Sequence, residues 1–141
     1  MKNSFLALLV ICVIFSCSKD DNFNPDKYPQ KWTLVKMIGQ ITNSETTGKN
    51  MEWQEFYLLK SDGTFIKKRE RDGIDYEVSG SFTFVDKTDG KFLELTHDTD
   101  NQIIGSCYAN QTESLLLKSD NKLVGTWSYC DGPGLEYERK E

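Results

Sequence analysis

The chain has 141 residues, with 17 lysines and arginines against 22 aspartates and glutamates, a net charge of −5 at pH 7 and 38% apolar residues. That length suits one domain of ordinary size. The acidic, interspersed charge argues against nucleic acid, whose binders carry a basic patch, and against electrostatic attachment to anionic lipid headgroups.

An unbroken apolar run occupies residues 5–15, behind Lys2. As a helix it would be about 16 Å long, roughly half a hydrocarbon core, so it reads as the h-region of an export signal and not as a membrane span. Ile14-Phe15-Ser16-Cys17 then reads as a bacterial lipobox. Cleavage before Cys17 removes residues 1–16, and acylation of Cys17 anchors the remainder to a membrane. One acyl chain holds marginally and several hold stably. Residues 17–29 carry the lipidated cysteine and a polar, proline-containing stretch that reads as a flexible tether. Within it, Ser18-Lys19-Asp20-Asp21 resembles the Lys/Asp-rich signal found after the cysteine of some surface-displayed Gram-negative lipoproteins, although any tether tends to be charged. The expected address is the outer membrane, with the cell surface and the periplasmic face both open.

Four cysteines sort by position. Cys12 is an apolar residue of the export signal, and Cys17 is the lipid carrier. Cys107 and Cys130 remain as an even pair in an exported chain, where oxidising conditions favour a disulfide over two separate buried thiols. Such a bond would contribute on the order of 3 kcal/mol in the chain-entropy account.

From residue 30 onward apolar side chains recur at spacing two, and Gly, Asn and Asp clusters interrupt them at hairpin intervals. The expected strands cover residues 32–38, 51–60, 64–71, 75–85, 92–96, 103–109, 113–118, 125–129 and 135–140, with a polar loop at 43–50. Eight or nine short antiparallel strands predict an all-β, up-and-down barrel over residues 30–141, because closure alone removes the sheet edges.

The fourth of these strands defines the inside. Tyr76, Val78, Gly80, Phe82 and Phe84 alternate with Glu77, Ser79, Ser81 and Thr83. Gly80, in mid-strand, leaves room for a bend or a close neighbour. A two-residue Asp72-Gly73 turn pairs Arg69 with Tyr76 and Lys67 with Val78. A three-residue Ser61-Asp62-Gly63 loop pairs Leu59 with Phe65, Tyr57 with Lys67 and Glu55 with Arg69. Both registers together put Trp53, Glu55, Tyr57, Leu59, Phe65, Lys67 and Arg69 on the core face, whereas a one-residue slip would move the charges outside.

At this point the chain resembles the small lipocalin-like lipoproteins of bacteria. The resemblance rests on Trp32 with Leu34 and Val35, on the Leu59–Phe65 hairpin followed by Tyr76 to Phe82, and on Gly125-Thr126-Trp127 with the closing Tyr137-Glu138-Arg139. It implies an eight-stranded barrel in which Trp32 packs against Arg139 to seal one end, a contact that would add ~1 kcal/mol. Two features depart from that pattern: Gln30 stands where the full motif has glycine, and no flanking helix is visible.

Glu55, Lys67 and Arg69 beside Tyr57 and Tyr76 form the most chemical-looking cluster. Buried charges are costly unless paired, so this cluster predicts a wet barrel mouth. There it would grip the polar head of an amphiphile while Phe65, Val78, Phe82 and Phe84 line its tail. The plain alternative is a solvated strand whose lysine and arginine stems cover apolar surface. Phe56, Leu58 and Ile66 fall on the outer face, and either dock a partner or pack beneath a loop. His97, the single histidine, reads as a solvated turn residue. No catalytic motif, metal-ligand spacing or phosphate-cradling loop is visible, so no cofactor is expected. The expected activity is binding of a small amphiphilic or apolar ligand, or of a surface glycan. A filled barrel that serves as an interaction module of an envelope complex is the alternative.

Overall fold

The computed structural model describes residues 26–140. The expected export signal, Cys17 and all but the end of the tether lie outside the described residues. Nine strands form one antiparallel sheet: β1 (Gln30–Ile38), β2 (Glu45–Thr47), β3 (Gln54–Leu59), β4 (Thr64–Arg71), β5 (Ile74–Lys87), β6 (Gly90–His97), β7 (Thr112–Ser119), β8 (Lys122–Gly125) and β9 (Gly134–Lys140). β1 pairs with β3 through Gln30 to Thr33 on one side and with β9 through Lys31 to Ile38 on the other, which closes an eight-stranded barrel. β2 adds to the far end of β1, opposite Lys36 to Ile38, as an extra strand outside it.

Turn chemistry sets the registers. Asp72 (φ 55°) and Gly73 (φ 76°) both take left-handed conformations, the signature of a tight two-residue hairpin. They pair Arg71 with Ile74, Arg69 with Tyr76 and Lys67 with Val78. At the other end of β4, Asp62 Oδ1 accepts from the Thr64 backbone N–H at 3.0 Å, and the loop pairs Leu59 with Phe65, Tyr57 with Lys67 and Glu55 with Arg69. Both hairpins have the register that the sequence predicts. A β-carbon on Gly80 would lie 2.0 Å from the Thr96 carbonyl oxygen and 2.8 Å from the Phe65 ring, so β5 passes β6 too closely for any side chain there. On β1 the ladder to β9 skips Val35, and the inward set changes from Trp32 and Leu34 to Met37 across that bulge.

Three expected elements differ. Residues 103–109 form no strand and belong to the loop 98–111, because the Ile103 carbonyl is taken by side chains inside the barrel instead of by a neighbouring strand. The strand expected at 125–129 lies earlier, at Lys122–Gly125, and a 3-10 turn follows over Trp127–Cys130. There Gly132 folds back beneath the Trp127 ring, where a β-carbon would come within 2.3 Å of Cγ. The expected loop 43–50 contains the short β2. Among the described residues no helix is long and apolar enough to cross a membrane.

Trp32, Leu34, Leu59, Phe65, Leu93, Leu95, Leu115, Leu123 and Tyr137 make the apolar core. Buried among them lie Glu55, Lys67, Arg69, His97 and Glu113.

Candidate functional site

The buried polar group is assembled from five strands and one loop. β3 carries Glu55 and Tyr57, β4 carries Lys67 and Arg69, and β6 ends on His97. β7 begins beside Glu113, β9 supplies Tyr137, and loop 98–111 supplies the Ile103 carbonyl. Each side chain sits where strand alternation turns it inward.

Lys67 Nζ donates to Glu113 Oε1 at 2.6 Å and to the Ile103 carbonyl at 2.5 Å, with Glu55 Oε1 at 3.5 Å. Arg69 Nε donates to Glu55 Oε2, and its Nη2 reaches the same Ile103 carbonyl at 3.3 Å. The tyrosines donate as well: Tyr57 Oη to Glu113 Oε2 at 3.0 Å and Tyr137 Oη to Glu55 Oε1 at 2.5 Å. His97 Nε2 lies 3.0 Å from Glu113 Oε2, and its ring meets Phe65 edge-on at 5.0 Å. A carboxylate only accepts, so Nε2 carries the hydrogen of that bond. Arg69 also stacks on Trp53, its guanidinium carbon 4.2 Å from the ring centroid.

Two cations thus face two carboxylates, joined by the two tyrosine hydroxyls and the Ile103 carbonyl, while His97 Nδ1 has no hydrogen-bond partner among the described residues. Burial pushes the Glu113 carboxyl up, but Lys67 and the His97 hydrogen bond outweigh it and bring Glu113 down to about 2. Burial, reinforced by the two carboxylates, holds the Tyr57 and Tyr137 hydroxyls well above the ordinary phenol value. Burial works against the Arg69 charge, yet Glu55 raises its pKa above the ordinary value. A pair of this kind is sustained only when its partners are complete, because removing one strands a charge in low dielectric.

The structure divides the residues expected to hold a ligand. Glu55, Tyr57, Lys67 and Arg69 come together, with Phe65 and Val78 buried in the same interior. In place of the open mouth expected around them, these side chains are buried, because Ile103, itself buried, closes the interior from the loop side. Tyr76 is half-buried opposite Arg69. Phe82 and Phe84 lie toward the other end of the barrel, where Phe82 meets Tyr28 with ring centroids 6.0 Å apart. Phe84 there lines a pocket of about 350 Å³ with Tyr28, Gln30, Trp32 and Leu117, and Asp26, Lys91 and Asp120 at its edge.

Trp32 stands directly opposite Arg139 in the β1–β9 ladder. The Trp32 indole donates to Gln30 Oε1 at 3.2 Å, so the glutamine in the glycine position supplies the acceptor for the buried ring. Arg139 donates to the Lys27 carbonyl at 2.9 Å. Phe56, Leu58 and Ile66 point outward and are half-buried, with Lys31 Nζ 4.2 Å over the Phe56 ring.

His97 corrects the sequence reading, for it is a buried member of the interior and not a solvated turn residue. Leu93, Leu95 and His97 continue one inward alternation, the signal that could have placed it. Glu113 was missed as a site residue, although Glu113 and Leu115 share a face in the same way. Among the described residues no group of three or more His, Cys, Asp or Glu side chains is arranged to hold a metal ion. Cys107 and Cys130 are joined by a disulfide that ties loop 98–111 to the turn after β8. Comparison of the chain with models of known families, with curated proteins and with solved structures finds no match in any of the three.

Proposed function

We propose that this chain is an exported, lipid-anchored protein of the bacterial outer membrane whose lipocalin-like barrel is filled and acts by recognition at its outer surface. The lipobox at Ile14 to Cys17 supports the acyl anchor, and Lys19-Asp20-Asp21 supports display on the cell surface. The closed barrel with Trp32 opposite Arg139 supports the lipocalin-like reading. One observation carries the choice between cargo carrier and interaction module. The volume that a barrel ligand would fill is occupied by Lys67, Glu55, Arg69 and Glu113 beneath Ile103. Small barrels are commonly filled by their own side chains in this manner.

A second reading, a small amphiphile held at the barrel end, is favoured by the aromatic pocket of about 350 Å³ around Trp32 and Phe84. Native mass spectrometry of the protein extracted from its own membranes separates the two. The filled barrel gives the mass of a chain that begins at an acylated Cys17, with nothing retained. A stoichiometric small molecule would overturn the filled-barrel reading in favour of the second, and an unmodified Cys17 would overturn the anchor.

A further inference from the structure

Each cysteine of the disulfide has a tyrosine neighbour: Tyr108 follows Cys107, and Tyr129 precedes Cys130. Both tyrosines are exposed, at 76% and 75%, whereas the other large aromatic side chains among the described residues are mostly covered. The disulfide fixes the two segments together, so two flat rings are presented along one rim at little conformational cost.

Below that rim, on the outer wall of β6 and β7, lies a groove of about 520 Å³, within the range of small-molecule sites. Its floor is hydroxylic. Ser114 Oγ donates to Glu94 Oε1 at 2.9 Å and Thr126 Oγ1 donates to the Ser114 carbonyl at 2.8 Å. With their hydrogens committed to Glu94 and to the Ser114 carbonyl, these hydroxyls offer lone pairs to a ligand that brings its own donors. The charges at the groove are Lys87, Asp89 and Glu94, and Lys87 Nζ is held by Glu94 Oε1 at 2.5 Å. The remaining carboxylate disfavours phosphate, sulfate or uronate.

A ligand that suits such a place carries no negative charge, is rich in hydroxyl donors, and has apolar C–H faces to lay on tyrosine rings. The geometry points to this groove as a binding site for a neutral oligosaccharide. The inference rests on the barrel acting through its outer surface, and it names the class of ligand met there.

Isothermal titration of the full acylated protein in detergent with maltohexaose, cellohexaose and mannohexaose tests it, with oligogalacturonate as the acidic probe. At least one neutral hexasaccharide binds, and oligogalacturonate binds at least about tenfold more weakly. Tyr108→Ala and Tyr129→Ala each weaken binding about tenfold, while Tyr129→Phe retains it, because the ring face and not the hydroxyl makes the contact. Both tyrosines are exposed, and circular dichroism of each variant verifies that the barrel is unchanged. No binding by any neutral hexasaccharide, equal or tighter binding of oligogalacturonate, or indifference to both alanine variants overturns the site. Native masses from the same preparation keep the two proposals apart. An empty, acylated barrel that ignores all three sugars ends the oligosaccharide inference and leaves surface recognition standing, whereas a retained amphiphile ends the surface reading itself.

Discussion

Glu113 accepts from Lys67, Tyr57 and His97 side chains and from the Gly105 backbone N–H, so the strands and the covering loop meet on one carboxylate. Its folded pKa of about 2 lies below the ordinary carboxyl value of 4.5. A depressed carboxyl contributes stability that is full above the unfolded value and lost as pH falls through the folded one. Stability measured by denaturant titration therefore declines from about pH 5 to about pH 2, with a contribution on the order of 3 kcal/mol from this group. Glu113→Gln should flatten that decline and lower the stability at pH 7 by about 3–5 kcal/mol, because the amide puts an NH2 group where only donors converge and leaves Lys67 with Glu55, at 3.5 Å, as its carboxylate partner. An unchanged pH profile in the variant would show that Glu113 is not the group responsible. Glu55, Lys67 and Arg69 were legible in the sequence because two short turns fix their register. Glu113 and His97 were not, because a polar residue at a strand end looks like a turn until a partner from another strand appears beside it.

At the scale of elements, loop 98–111 is where the sequence pattern misleads. Ile103-Ile104 reads as the start of a strand, yet Ile103 is used as a plug, with its side chain buried and its carbonyl accepting from Lys67 and Arg69. That use becomes visible only once the barrel has closed around the two cations. The Cys107–Cys130 bond holds the far side of the loop to the turn that follows β8. Replacing both cysteines by serine should cost about 2–4 kcal/mol of stability. Hydrogen exchange of the amides in residues 98–111 should then rise well beyond that of β5. Equal acceleration in loop and strand would mean that the loop has no opening of its own to restrain. The hairpins were legible by contrast, because Asp72-Gly73 and Ser61-Asp62-Gly63 encode their turns locally, whereas Trp127 leaves the strand only because Gly132 lets the chain fold back beneath its ring.

For the whole molecule, alternation and turn spacing were enough to predict an all-β barrel, since each strand carries its own inward face. Whether that barrel is open or filled could not be read in the same way. An inward lysine is compatible with a wet cavity or with a buried pair, and only the approach of β7 and loop 98–111 decides between them. The surface reading extends this picture and rests on an interior occupied by the protein's own side chains.

Lys67 and Lys68 are neighbours in the chain with opposite fates: the Lys67 side chain is 0% exposed and that of Lys68 is 52% exposed. Acetylation of the native protein by an amine-reactive reagent, read residue by residue from fragment masses, tests the filled interior directly. The account predicts that Lys68 is modified while Lys67 stays protected until the protein is unfolded. Comparable modification of the two lysines in the native state would contradict it.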